Sequence, residues 1–276
     1  IITDSTVDIT IDQALKMGLT MVPLKVIFGS NEYREGIDIS MDGFYQRLVH
    51  ADKLPTTSQP APDDFLIHFK EAKAAGDSVI AILIAGTLSG TVQSANIAKQ
   101  IAGYSEIYIV DSLSTIIGLR LLVEQAVKLR DEGLSAAAIA ENLEKMKSKI
   151  VLLAMVDTLE YLYKGGRLSK SSAVIGSLLN FKPILTIKDG AIAAIGKERG
   201  INKGITKILE SMDEFGTLDK EYPVFVGFTA EDSKAMILKE KVVEKFSLQE
   251  VGMHPVGCVV GTHVGPGACM VAYIKK

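Results

Sequence analysis

Residues 78–102 read SVIAILIAGTLSGTVQSANIAKQIA. An apolar run over 78–84 gives way to Gly86-Thr87-Leu88-Ser89-Gly90-Thr91, and then to helical spacing over 91–102. A short buried strand, a tight loop and a helix in succession form one unit of an α/β fold with a parallel sheet. The same alternation extends in both directions. Strands are predicted over 20–28 and 106–110, and helices over 41–50, 63–75 and 117–131. Ser135 caps a further helix that ends near Lys147. Beyond it the pattern changes. Runs 182–187 and 191–195 flank Asp189-Gly190, a pair suited to a type I′ hairpin turn. Strands also fit 224–228, 256–260 and 269–274, and helices fit 201–212 and 231–245. The expected architecture is α/β with two domains: an N-terminal α/β/α domain with a parallel sheet, residues 1–149, and a C-terminal α/β domain with a mixed sheet, residues 150–276.

Composition limits what such a fold can do. The chain has 276 residues, 47% apolar, 23% charged and 6% aromatic, which makes a globular protein with an aliphatic core. Its net charge of −3 and scattered Lys and Arg exclude a phosphate-tracking basic surface, so no nucleic acid is expected as partner. No apolar stretch approaches the roughly 20 residues of a membrane span. Ile1-Ile2 leads into Thr3-Asp4-Ser5 without the basic flank of a signal peptide, and the expected location is cytoplasmic. Cys258 and Cys269 lie in apolar surroundings and read as two buried thiols. Together with His254 and His263 they lack zinc-site spacing, so no metal and no cofactor are expected.

Four polar clusters interrupt the apolar runs. In Leu54-Pro55-Thr56-Thr57-Ser58-Gln59-Pro60-Ala61-Pro62, prolines hold an extended loop that carries three successive hydroxyls. The plainer reading has them satisfying backbone groups and capping the helix at Asp63. Ser89 and Gly90 sit where a strand's carboxyl end meets a helix N-terminus, the usual ligand position of an open α/β sheet. Unpaired amides and the helix dipole there favour an anion, and Gly90 lets backbone approach closely. The plainer reading of Ser89 is a helix cap. Neither loop contains Lys or Arg, which suits a carboxyl group better than a phosphate. Burial raises the pKa of such a group, and hydroxyls accommodate either protonation state. The third cluster, Gly261-Thr262-His263-Val264-Gly265-Pro266-Gly267, reads as an irregular loop between two strands with His263 at its edge. In the fourth, Lys164-Gly165-Gly166-Arg167, Arg167 reads as a partner of Asp157 or Glu160. Arg199, in Lys197-Glu198-Arg199-Gly200, follows the hairpin and could guard a pocket mouth or meet an anionic partner.

Thr3-Asp4-Ser5-Thr6, Thr56-Thr57-Ser58-Gln59-Pro60, Leu88-Ser89-Gly90-Thr91, Lys164-Gly165-Gly166-Arg167, Lys182-Pro183-Ile184 and His263-Val264-Gly265-Pro266-Gly267 occur in that order. Each is weak alone, but the ordered set resembles the DegV family along nearly the whole chain. The resemblance implies a parallel-sheet N-terminal domain, a mixed-sheet C-terminal domain, and a long-chain fatty acid whose tail lies in an apolar tunnel of the latter. It implies that Thr57 and Ser89 hold the carboxyl group with His263 nearby; Ser58 and Gly90 complete the candidate set. It further implies a lipid-binding subunit without catalysis of its own. Similar proteins of Gram-positive bacteria present the acid to a separate ATP-dependent fatty acid kinase subunit, which makes an acyl phosphate for phospholipid synthesis. Arg199 matches the position implicated in that encounter. The chain departs from the pattern at Ala85-Gly86, at Val92 and at Cys269, none of them a head-group ligand.

The residues also admit an enzyme. Ser89, His263 and Asp4 or Asp111 could form a hydrolase triad, although Gly86-Thr87-Leu88-Ser89-Gly90 lacks the spacing of a nucleophile elbow. A nucleotide binder is set back by the missing lysine and P-loop. Aliphatic residues of 174–185 and 256–260 are the candidates for a tunnel lining.

Overall fold

A computed structural model describes residues 1–168 and 181–276. The first half contributes strands β1 (Ile2–Asp4), β2 (Thr20–Val22), β3 (Lys25–Phe28), β4 (Asn31–Arg34), β5 (Thr56–Ser58), β6 (Val79–Leu83) and β7 (Ile107–Asp111). Its helices are α1 (Ile11–Lys16), α2 (Met41–Val49), α3 (Pro62–Ala75), α4 (Thr91–Ala102), α5 (Ile116–Asp131) and α6 (Ala136–Met146). The second half contributes β8 (Ile150–Met155), β9 (Phe181–Lys188), β10 (Ala191–Arg199), β11 (Phe225–Phe228), β12 (Gly252–Pro255) and β13 (Cys269–Ile274). Helices α7 (Glu160–Lys164), α8 (Ile201–Phe215), α9 (Ser233–Phe246) and α10 (Cys258–Val264) accompany them.

All five residues of β6 are buried, as a strand covered on both faces requires. It lies inside a parallel sheet of order β2-β1-β6-β7. The larger sheet has the order β10-β9-β8-β13-β11-β12 and is mixed: β11 and β12 run parallel, the other neighbours antiparallel. Phe65 and Phe69 of α3 and Ala95 and Ala98 of α4 cover one face of the parallel sheet. On its other face, Ile80 and Ile82 share a core with Ile117, Leu119 and Leu122 of α5, and that core continues into Leu152, Met270 and Ala272 of the mixed sheet. Helix α5 is therefore packed between two sheets, which accounts for its apolar character on nearly every side. Ile205, Ile208 and Leu238 of α8 and α9 close the far face of the mixed sheet. The protein is thus α/β with two domains, one built on a parallel sheet and one on a mixed sheet. No described helix is long and apolar enough to cross a membrane.

Three local readings change. The stretch 20–28, expected as one strand, is two: Pro23 has no N–H to donate and interrupts the ladder after Val22. The chain then enters a separate antiparallel sheet, β4-β3-β5, that the sequence did not suggest. Thr56–Ser58, expected as loop, is an edge strand of that sheet, the position flanking prolines permit. Its hydroxyls do not cap α3, whose N-terminus is served by the Asp64 carboxylate accepting from the Ala61 amide. Finally, 256–260 is not a strand: helix α10 begins at Cys258. The Gly257 amide donates to Asp8 Oδ1 and the Val259 amide to Glu35 Oε1, so side chains distant in sequence satisfy the start of the helix. His263 consequently sits in a helical last turn and not in a loop between strands. The hairpin at Asp189-Gly190 has positive φ at both residues, 51° and 79°, as a type I′ turn demands.

Candidate functional site

The carboxyl end of β6, the edge strand β5, helix α10 and the β9–β10 hairpin converge on a cavity of about 330 Å³. That lies within the roughly 300–1,000 Å³ typical of small-molecule sites. Its polar wall comprises Thr57, Ser58, Gln59, Ser89, Thr115, Arg167 and His263. Leu24, Ile84, Leu88, Leu162, Ile192, Val259, Val260 and Val264 form the apolar remainder. The hairpin is held over the site by its turn, where the Gly190 carbonyl accepts from the Thr87 hydroxyl.

Each polar group is placed by local structure. Thr57 pairs with Val26 across β3 and β5, and its hydroxyl lies 2.9 Å from His263 Nε2. The Ser89 amide is spent on the Ala85 carbonyl, but its side chain does not cap α4; the cap residue is Gly90, without a side-chain bond. The Ser89 hydroxyl instead lies 2.8 Å from that of Thr91 on the cavity side. Gly90 is not part of the cavity wall. A Cβ there would collide with the Gln59 side chain, so its small size serves a side-chain approach, not the backbone–ligand approach expected. Gln59 in turn donates to Ser94 Oγ at 3.2 Å.

His263 is set against Gly165, where a Cβ would strike its Nδ1. Burial, seconded by the Arg167 guanidinium, pushes the His263 pKa down to about 4, so the imidazole is neutral at physiological pH. Arg167 does not pair with Asp157 or Glu160. Lys182 and Lys234 occupy Asp157, at 2.8 and 2.6 Å, and Lys164 occupies Glu160. The Arg167 guanidinium is anchored by donating to the carbonyls of Leu88, at 3.2 Å, and Gly165, at 2.7 Å. The cradle is therefore not made of hydroxyls and amides alone; Arg167 adds a cation to its wall, contrary to the expectation from the two loops. Arg199 lies elsewhere, exposed at the end of β10 with its guanidinium 4.8 Å from the centre of the Phe181 ring.

Beside the polar cavity lies a second, small apolar space lined by Ile116, Leu152, Ala154, Val156, Leu185, Ile187 and Met270. Thr115, Leu162, Ile192, Val260 and Val264 border both spaces, which places the apolar one between α5 and the mixed sheet. Of the expected tunnel residues, Val259, Val260 and Leu185 line the two spaces, while 174–180 lie outside the described residues. Leu113 and Ile116 flank Thr115 with φ of 52° and 46°. Left-handed backbone at a β-branched residue is strained, and such strain concentrates at ligand sites.

The triad is not assembled. The Asp4 carboxylate accepts from Thr6 and the Ile84 amide, and Asp111 accepts from the amides of Gly86 and Leu113. Among the described residues His263 Nδ1 has no hydrogen-bond partner, and neither aspartate orients the ring. Both cysteines are buried free thiols. Sequence reasoning passed over Thr115, Gln59 and Arg167 as wall residues. Thr115 carried a usable signal, since it follows β7 at the same strand-end edge as Ser89.

A neutral imidazole, several hydroxyls and a guanidinium beside an apolar space are chemically suited to a single acid group on an apolar body. The chain belongs to the DegV family, whose model, described as "Uncharacterised protein, DegV family", matches residues 1–276. A DegV domain-containing protein of Caldanaerobacter subterraneus is 34% identical over 276 residues, covering 100% of this chain and 98% of the relative. The fold is similar to a DegV family protein from Thermus thermophilus described for its fatty acid binding, with TM-score 0.90, 32% identity and coverage of 99% and 98%. It is also similar to a stearic acid-binding protein from Eubacterium ventriosum, with TM-score 0.90, 28% identity and coverage of 100% and 97%.

Proposed function

We propose that this protein binds one long-chain fatty acid, its tail in the apolar space and its carboxyl group at Thr57, Ser58, Ser89 and His263. The observation that carries the reading is the wall shared by a polar, Arg167-bearing cavity and a space lined by aliphatic side chains. Burying the tail contributes about 0.8 kcal/mol per methylene, enough over a long chain to offset desolvation of the head. Burial favours the protonated acid and Arg167 favours the carboxylate; neutral His263 can donate to or accept from either.

The bound acid is presented to a separate ATP-dependent kinase subunit for acyl-phosphate formation in the cytoplasm, and the protein has no catalysis of its own. Exposed Arg199 is the contact for that partner, free of any role in the cavity wall. Residues 1–149 and 150–276 are the two domains, divided where the chain enters β8. Against a hydrolase, Asp4 and Asp111 are bonded to other groups and neither orients His263. Mass spectrometry of lipid extracted from the purified protein tests the proposal. A single class of long-chain acid at about one per chain is expected; protein purified lipid-free that fails to take up added acid refutes it.

A further inference from the structure

Helix α10 carries Val259, Val260, His263 and Val264 to the cavity, and its start rests on two carboxylates from the N-terminal half. Gly257 donates to Asp8 Oδ1 at 3.0 Å and Val259 to Glu35 Oε1 at 2.7 Å. The two carboxylates close on the same point: a Cβ at Gly257 would lie 2.5 Å from Glu35 Oε1 and 2.8 Å from Asp8 Oδ1. Glu35 also reaches the opposite wall. Its Oε2 accepts from the Ser5 hydroxyl at 2.6 Å, and Ser5 Oγ accepts from the amide of Leu24, a cavity residue. Asp8 Oδ2 is buried without a hydrogen-bond partner among the described residues.

We propose that Asp8 and Glu35 are positioning residues for the acid-binding site: they share a proton, and the state of that proton sets where α10 holds His263. The proposal rests on the reading of the cavity as a carboxylic acid site. With one proton between them, the pair carries a single charge and both helix amides have an acceptor. With none, the two like charges repel each other beside Gly257 and drive apart the acceptors of both helix amides; the start of α10 is carried with them, which shifts His263 from Thr57.

The surroundings place this change in the neutral range. Burial pushes Glu35 up to about 7, against the Ser5 hydroxyl and the Val259 amide. Burial, then the Glu35 charge, holds Asp8 well above the usual carboxylate range. The other groups facing the pair come from every packed element. Asp4, on β1, is raised by burial to about 6 and adds negative charge. Arg120 of α5 opposes it, its Nη1 3.4 Å from the Asp8 carbonyl and 3.0 Å from His254 Nδ1. His254 is pushed down to about 4 and stays neutral. Tyr45 of α2 and Cys258 of α10 are pushed up and also stay neutral. A second cavity, of about 260 Å³ and lined by Asp8, Glu35 and Gly257, gives water a route to the proton.

The test is an NMR titration of the histidine ring signals in the lipid-free full chain, from about pH 5 to about pH 9, a span centred on the value near 7 of Glu35. His263 should show a step near neutral pH, well above its own titration, and Glu35→Gln should abolish it. Asp8→Asn does the same if the first variant folds poorly, since asparagine tolerates the left-handed backbone of Asp8. In parallel, a fluorescent long-chain fatty acid should bind the wild type about tenfold more weakly above the step, the equivalent of one pKa unit of coupling. A folded variant should lose that dependence on pH. A wild type without the step, or a step unchanged in both variants, overturns the proposal. Absence of acid binding by the wild type at every pH overturns the functional reading instead, whatever the histidine signals do.

Discussion

Replacing Gly165 with alanine adds one methyl group to a backbone that accepts it, since φ is −77° and ψ −6°. The cost is therefore steric. The new Cβ would strike His263 Nδ1, and it would stand 3.0 Å from both Cε1 of that ring and the Tyr161 carbonyl. The carbonyl is fixed, so the ring must move, and the 2.9 Å bond to the Thr57 hydroxyl breaks. Overpacking of this kind costs about 1–3 kcal/mol, and the lost hydrogen bond about 0.5–1.5 kcal/mol more. Because both groups stand on the cavity wall, fatty acid affinity should fall at least about tenfold, or 1.4 kcal/mol. Gly166→Ala is the matched control. Among the described residues nothing lies within 4 Å of its Cβ, but its φ is 70°, so it should cost roughly 1–2 kcal/mol of stability through backbone strain. Titration with a fluorescent fatty acid, beside chemical denaturation, reads both quantities. Gly165→Ala with wild-type affinity, or Gly166→Ala with the larger loss of affinity, refutes the placement of His263 as a head-group contact.

Thr57→Val and Ser89→Ala should each weaken binding by about 1–3 kcal/mol, measured by the same titration, because each leaves buried polar groups without a partner. Arg199→Ala should leave fatty acid affinity unchanged and slow acyl-phosphate formation by the partner kinase; a normal rate removes Arg199 from that contact. Glu35 is raised in the fold from 4.5 to about 7, so the folded state binds more protons than the unfolded chain across that window. Stability should accordingly be greatest below the window and fall as pH rises through it, and Glu35→Gln should flatten that fall in denaturation curves taken across the range.

Where local chemistry decides conformation, the chain could be read directly. Asp189-Gly190 forms the I′ turn because both residues tolerate positive φ. Ser135 caps α6 through the Ala138 amide, a bond made within four residues. The β6–loop–α4 unit placed Ser89 at a strand end because short connections leave few alternatives. Elsewhere an apolar run was ambiguous. Residues 256–260 are equally apolar as strand or helix, and the choice fell to Asp8 and Glu35, more than 200 positions away. β1, three residues long, was too short to announce itself, yet it is an inner strand of the parallel sheet.

The order of hydroxyl, glycine and histidine motifs along the chain was sufficient to indicate its family and the kind of ligand group it suits, since those residue types carry their hydrogen-bonding capacity with them wherever they fold. Which of them meet was settled in three dimensions. Thr57 and His263 are 206 positions apart and bond only because β5 and α10 pack together. Arg167 stands on the cavity wall, while Lys182, Lys234 and Lys164 pair with the anions near it in sequence. Charge and burial at a point depend on everything packed around it, and one dimension does not contain that sum.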